Sequence, residues 1–438
     1  MSHVFSRAVG RDLPVVARAS GATIWDAAGR RYLDGAGGAI VVGIGHGRGE
    51  IARVLAEQAA RVAYAHGTAF TSQPLEAYAD EVAPLLPMDG ARIYPVSGGS
   101  EGIETALKMA RAYHLARGEP DRHRVIARWG SYHGNTLGAL DAGGREPLRK
   151  PYEPWLGRAA HVPAAYEYRC PNPEHPSGCG AWHASRLEQA ILAEGAGRVA
   201  CFVAEPVAGA TLGAAVPSDD YWPAVGDVCR RHGILLIADE VMTGFGRTGA
   251  WFGCDHWALR PDILVAAKGA SSGYWPFGFA AAAGHVYDAL AEGGFVHGFT
   301  YSHSVTGAAV AREVLRILRD EGLVDASRDK GERLRKELVE ALAEHPLVGD
   351  VRGRGMMVGI ELVADRGSRQ PFPRSERVTE RVLAAANEAG LLLYPSTGCA
   401  DGTDGDLVML GPPFVLTDDE LGEAVDGTVA AIRTVLPG

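Results

Sequence analysis

Along this chain, short unbroken apolar runs alternate with stretches in which apolar residues recur every three or four positions. The runs "VACFVAEPV" (199–207), "GILLIADEV" (233–241), "PDILVAAKG" (261–269) and "PFGFAAAAGH" (276–285) have the look of strands covered on both faces. "ARIYPVSGG" (91–99) and "HRVIARWG" (123–130) each read as a strand running into a glycine turn. The segments between them carry the helical period. "EIARVLAEQAARVAYA" (50–65) is one, and "EGIETALKMARAYHLARG" (101–118) is another, with Ile103, Leu107, Ala110 and His114 on one stripe.

Strands alternating with helices predict an α/β fold built on a large, mostly parallel sheet. The pattern changes near residue 311. A long helix, "AAVAREVLRILRDEGL", leads into a helix–strand–helix region that ends in "LVMLGPPFVLTDDELGEAVDGTVAAIRTVL". At the other end, "GATIWDAAGRRYLDGAGG" reads as a hairpin with strands at Thr23–Asp26 and Arg31–Asp34, turning at Ala28-Gly29. Neither end makes a large core alone, so the two are expected to pack together as a smaller α+β domain. That gives residues 1–55 as its N-terminal part, 56–310 as the large domain and 311–438 as its C-terminal part. No internal repeat is visible.

Composition narrows the function classes. The 438 residues are 47% hydrophobic and 22% charged, with a formal net charge of -10 and no basic block. That argues against a binder of nucleic-acid backbone. No apolar run has the length of a membrane helix, and "MSHVFSRAVGRDLPVVARAS" lacks the apolar core of a secretion signal, so the expected address is the cytoplasm. Six cysteines in a chain of this size do not make a disulfide framework. The segment "YRCPNPEHPSGCGAWH" gathers Cys170, His175, Cys179 and His183. Two cysteines with eight residues between them match no common zinc spacing, so the segment reads as a Pro- and Gly-rich surface insertion and no metal is expected.

Only five of the 43 basic residues are lysines. Lys108, Lys150, Lys330 and Lys336 sit in polar or helical contexts and read as solvated. Lys268 differs. It follows the apolar run Ile263–Ala267 and precedes a glycine. An ammonium there is desolvated and its pKa falls, which favours a nucleophilic amine. Other chemistry-bearing residues also sit at the ends of strands, where open α/β sheets collect their ligands. Asp239 and Glu240 end one buried strand; each suits a salt bridge, a helix cap, or a carboxylate facing a cationic ring nitrogen or a metal. "PVSGGSEGIETAL" joins a strand to a helix through Gly98, Gly99 and Ser100, a shape that suits a phosphate but lacks the G-K-[ST] of a nucleotide loop. Tyr132 and His133 follow a further strand and could lie on a flat ligand, and Glu205 ends another before Pro206. An imine-forming lysine, a phosphate loop and a carboxylate for a ring nitrogen together describe pyridoxal 5'-phosphate (PLP).

The joint spacing of "DEVMTGFGRTG" and "PDILVAAKG" resembles the class III aminotransferases, PLP enzymes of fold type I; "SGGSEGIETALKMAR", "SYHGNT", "AEPV", "HGFTYS" and "GPPFVLT" extend the likeness over nearly the whole chain. The resemblance implies that Lys268 forms the Schiff base and later shuttles a proton. It assigns Asp239 to the pyridine nitrogen, Val241 below the ring and Tyr132 above it. Gly98, Gly99 and Ser100 become the phosphate turn, and Thr300 the threonine that reaches a phosphate across a homodimer with shared active sites.

The chain also departs from the family pattern. "TYSHSV" lacks the family's Gly and Pro, and Met242 stands where the ornithine-type branch has Gln. "DLVMLGPPF" carries no arginine for an α-carboxylate, Tyr394 stands near where amine:pyruvate-type members have Arg, and Ile40 near where they have Trp. Ile40, Trp275 and Tyr394 are therefore read as apolar or aromatic pocket lining. The expectation is an aminotransferase passing an amino group from a primary amine or ω-amino acid to an α-keto acid such as pyruvate. A different PLP reaction on the same scaffold (decarboxylating transamination, racemisation or aminomutation) would use the same residues. A non-enzymatic DNA-binding role is disfavoured by the acidic charge and the short stretch before the hairpin.

Overall fold

The computed structural model describes residues 3–8, 10 and 12–438. Met1, Ser2, Val9 and Arg11, part of the leading stretch read for a targeting core, lie outside the described residues. Among the described residues, no helix is long and apolar enough to cross a membrane.

Seven strands form the large sheet: β4 (Arg92–Val96), β5 (Arg124–Arg128), β6 (Ala159–Val162), β7 (Val199–Ala204), β8 (Leu235–Asp239), β9 (Ile263–Ala266) and β10 (Gly278–Ala282). Their order is β4-β10-β9-β8-β7-β5-β6, parallel throughout except β10, which runs antiparallel to both neighbours. All residues of β7, β8, β9 and β10 are buried, as the unbroken apolar runs require. Alternation sends their side chains to two different layers. Phe202, Ala204, Leu236 and Ala238 pack under the Cys179–Glu194 and Tyr221–His232 helices. Cys201, Val203, Ile237 and Val265 pack on the other face under the Gly99–Ala116 helix, where Ile103, Ala106 and Ala110 meet them.

Two smaller sheets flank this layer. One is β1 (Val16–Ser20), β2 (Thr23–Asp26) and β3 (Arg31–Leu33), so the N-terminal hairpin carries an additional edge strand. The other is β11 (Val348–Arg354), β12 (Met357–Leu362), β13 (Tyr394–Thr397) and β14 (Asp406–Leu410), ordered β11-β12-β14-β13. The two meet where Leu33 N donates to Gly390 O at 2.7 Å and Leu392 N donates to Leu33 O at 2.9 Å. Arg247 ties both to the large sheet. Its guanidinium donates to Val42 O, Met356 O and Pro412 O at 3.1, 2.9 and 2.7 Å and lies over the Phe414 ring. Burial pushes its pKa down to about 9. One of the lysines read as solvated is not: Lys330 Nζ donates to Phe414 O at 3.1 Å and Leu416 O at 2.7 Å, because its helix packs over the chain end those carbonyls belong to.

Candidate active site

The parallel strands end along one edge of the sheet, and the antiparallel β10 begins there. A cavity of about 370 Å³ opens at this edge. Its walls come from the loops after β4, β5, β7, β8 and β9, from the loop before β10, and from Val41.

Lys268 stands in this wall, half-buried. Burial lowers its ammonium pKa to about 8, against the opposing pull of Asp239 and Glu205. At pH 7 roughly a tenth of such side chains carry a free amine, against about one in three thousand at the ordinary value. Lys268 also holds a φ of 41°, a left-handed conformation that a residue with a Cβ adopts at a cost of about 1–2 kcal/mol.

The chain reversal after β8 sends Asp239 and Glu240 to opposite sides. Asp239 lines the cavity; its Oδ1 accepts from Val241 N at 3.0 Å, and its Oδ2 lies 2.6 Å from His133 Nδ1. Glu240 instead accepts from Gly253 N at 2.8 Å and Cys254 N at 2.7 Å and from Thr243, which makes it a structural brace for that loop. His133 thus meets the pyridine-facing candidate edge-on through a hydrogen bond. Its other nitrogen, Nε2, is buried with no partner. Glu205 is held by Arg128, whose guanidinium donates to Glu205 O at 2.6 Å and lies 3.9 Å from Oε2. Burial raises the Glu205 pKa, and Oε2 has no hydrogen-bond partner. Arg128 is a residue the sequence reading did not single out; an arginine ending a buried strand was the signal available.

At the far side of the cavity the Gly99–Ala116 helix begins. Its N-cap, Gly98, supplies no side-chain cap to the first N–H groups. Glycine is required at position 99 because a Cβ there would come within 2.9 Å of Val241. It is required at 134 because φ is +134° and a Cβ would meet Ser100 Oγ at 2.4 Å. The bare helix start therefore sits directly against the cavity, ready for an anion.

Gly98, Gly99, Ser100, Tyr132, His133, Glu205, Asp239, Val241, Lys268 and Trp275 all line this one cavity. Three other candidates do not. Ile40 is 2% exposed; its φ of 57° turns its side chain against Gly411, and Val41 faces the cavity instead. Tyr394 packs against the cluster of Met242, Leu407 and Met409 and is not among the residues lining the cavity. Thr300 is exposed on the surface. Met242, at the position where the ornithine-type branch has Gln, lines the cavity, and Ala210, Pro276 and Phe277 are lining residues that only the folded chain identifies as such.

A ligand with an anion at the helix start, a carbonyl carbon at Lys268 and a basic ring nitrogen at Asp239 fits this cavity, and the unpartnered Glu205 Oε2 and His133 Nε2 point to a polar ligand. Comparison with known proteins bears on which ligand. Residues 4–432 match the family described as Aminotransferase class-III. The putrescine–pyruvate aminotransferase of Pseudomonas aeruginosa is 34% identical over 95% of this chain and 91% of its own length. An (S)-enantioselective omega-transaminase from Thermomicrobium roseum superposes with a TM-score of 0.91 at 37% identity, covering 97% of this chain and 94% of that one. An amine transaminase from an uncultivated Pseudomonas species, crystallised with PLP bound, gives 0.92 at 35% identity, with coverage of 99% and 98%. The chain belongs to the class III aminotransferases, enzymes of fold type I that use PLP.

Proposed function

We propose that this aminotransferase takes its amino group from a primary amine or an ω-amino acid and delivers it to an α-keto acid, pyruvate above all, in a ping-pong cycle. One observation carries the reading. Part of the cavity wall is apolar, formed by Val41, Met242, Trp275, Pro276 and Phe277, and no arginine is among the described residues that line the cavity. A carboxylate held next to the reacting amine would be desolvated without a partner, at a cost of several kcal/mol, so the acceptor keto acid needs an arginine brought in from a loop or the partner subunit to meet its own carboxylate. The putrescine–pyruvate relative and the two amine-type structural neighbours are consistent with such a donor.

PLP supplies an aldehyde that takes up the amino group and a pyridinium ring that draws off the electrons of the bond broken at Cα. Lys268 would hold the cofactor covalently, and its Nζ would take up the proton from the donor's Cα. Asp239, oriented by His133, keeps the ring nitrogen protonated. Gly98, Gly99 and Ser100 would bind the phosphate at the helix start, and Val241 and Tyr132 would contact the ring. Trp275 and Phe277 exclude water from the reacting amine. In this reading residues 56–310 bind the cofactor and are flanked by 1–55 and 311–438.

The expected result is a kcat/KM for an aryl-alkyl amine or an ω-amino acid well above that for ornithine or acetylornithine, with pyruvate held fixed as acceptor. Each donor's product is identified by mass, which separates transamination from racemisation or aminomutation. A clear preference for the ornithine compounds would overturn the donor class.

The same reading includes a homodimer in which Thr300 serves the partner's phosphate. Thr300 is exposed and outside its own cavity, and it neighbours the exposed Val296 and Tyr301. A mixture of Lys268→Ala and Thr300→Ala chains, co-refolded, is expected to regain activity that neither variant has alone, because one hybrid site combines two unmutated contributions. A monomeric, fully active protein on sizing would rule this out.

A further inference from the structure

One cluster of donor groups lies outside the reading above. The chain between β6 and the Cys179–Glu194 helix folds back on itself. It makes a 3-10 turn at Glu167–Arg169, then a second turn in which His175 N donates to Asn172 O at 3.1 Å, and Cys179 opens the helix. This fold brings donor atoms of Glu167, Cys170, His175 and Cys179 to within 4.8 Å of one another.

The separations have a chemical meaning. The two sulfurs are 3.7 Å apart, and His175 Nδ1 is 3.2 Å from Cys179 Sγ and 3.8 Å from Glu167 Oε2. A tetrahedral zinc ion, with bonds of about 2.3 Å to sulfur and about 2.0–2.1 Å to nitrogen or oxygen, needs sulfur–sulfur edges of about 3.8 Å and sulfur–nitrogen edges of about 3.5 Å. A disulfide needs about 2.05 Å, and both cysteines are free. Two more observations point to an ion. Glu167 Oε1 is buried with no hydrogen-bond partner. Asn172, itself buried, donates from Nδ2 to Ser177 O at 2.8 Å and reaches Cys179 Sγ at 3.6 Å, the outer N–H contact that steadies a metal-bound thiolate. His183 Nε2, 3.9 Å from Cys170 Sγ, gives the other sulfur a similar neighbour.

We propose that Glu167, Cys170, His175 and Cys179 bind one structural Zn²⁺. Two thiolates, an imidazole and a carboxylate form a closed four-ligand set with no position left for a substrate. The site is a pin. On its flanks Arg169 pairs with Glu361 at 2.6 Å and Arg352 lies over the Tyr166 ring, so the metal fixes the segment that joins the large sheet to the β11–β14 sheet. The spacing of the two cysteines hides the site in the sequence, because half of the ligands are a glutamate before the first cysteine and a histidine between the two.

The test uses the PLP-loaded protein, passed through metal-depleted buffer and analysed by inductively coupled plasma mass spectrometry. About one zinc per chain is expected. Chelator-stripped protein is refilled with Zn²⁺ alone or Co²⁺ alone. Cobalt is expected to give the visible bands of a tetrahedral site and a thiolate charge-transfer band. Cys179→Ser should abolish both while the cofactor's own absorbance stays, and Glu167→Gln should weaken the metal about tenfold or more. If Cys179→Ser does not fold, the stripping and refilling of the unaltered chain decides the matter. Three results would overturn the proposal: no stoichiometric metal and no uptake on refilling, thiolate–cobalt bands that survive Cys179→Ser, or a peptide map showing Cys170 and Cys179 joined as a disulfide.

Discussion

Lys268→Ala protein is expected to lose turnover by a factor on the order of 10⁴ or more, because in the proposed reading one amine both bonds the cofactor and carries the Cα proton. The variant should still take up PLP through the phosphate turn, the ring contacts and Asp239, and so bind it without a covalent bond. Borohydride treatment of the unaltered holoenzyme is expected to fix the cofactor on Lys268 alone. The alternatives are few, since the other four lysines are Lys108, Lys150, Lys330 and Lys336. Lys330 is engaged with two backbone carbonyls, and none of the four lines the cavity. Recovery of the reduced label on any of them would displace Lys268 from its role. The pH behaviour follows from burial. With the ammonium pKa lowered to about 8, transfer of a borohydride-reducible aldehyde onto the apoenzyme should speed up as pH rises through 8 and level off above it. An unperturbed lysine would keep accelerating to beyond pH 10.

Asp239→Asn is expected to cost about 3 kcal/mol of transition-state stabilisation, roughly a hundredfold in rate, on the scale of removing one preorganised electrostatic partner. Asparagine keeps the shape and can still accept from Val241 N through its carbonyl oxygen. What disappears is the negative charge that, in the proposed reading, holds the proton on the cofactor's ring nitrogen, and with it the carboxylate partner of His133 Nδ1, 2.6 Å away. Single-turnover absorbance changes on mixing with the amine donor isolate this half-reaction from acceptor binding. Near-normal single-turnover rates in Asp239→Asn would mean that the protonated ring is not needed. The carboxylate is 3% exposed, so a loss of cofactor affinity is also expected, read separately by equilibrium dialysis of PLP.

Much of the architecture is written locally. The unbroken runs in β7, β8, β9 and β10 leave no polar face, so those strands had to be covered on both sides, and the sheet they form is. The glycines at 98, 99 and 134, the strand-end carboxylates and the lone lysine after an apolar run are also local signals, since each is a departure from what its element would otherwise contain. Spacing between such signals was enough to suggest the family and its cofactor.

Other features depend on which distant segments meet, and no local pattern encodes that. Ile40 and Val41 are both apolar neighbours; the positive φ at Ile40 and the contact with Gly411 decide that Val41 faces the cavity. Lys330 lies in a charged helical stretch, yet docking of its helix against Phe414 and Leu416 makes it a carbonyl cap. Asp239 and Glu240 are adjacent carboxylates; the turn after β8 gives one to the cavity and the other to the backbone of 253–254. The donors Glu167, Cys170, His175 and Cys179 look like parts of a surface insertion until two turns fold them together. Sequence determined the elements and the kinds of chemistry, because hydrophobic period and glycine act over a few residues. Tertiary structure decided which side chains share a site, because side-chain direction and burial are set by contacts between residues far apart in the chain.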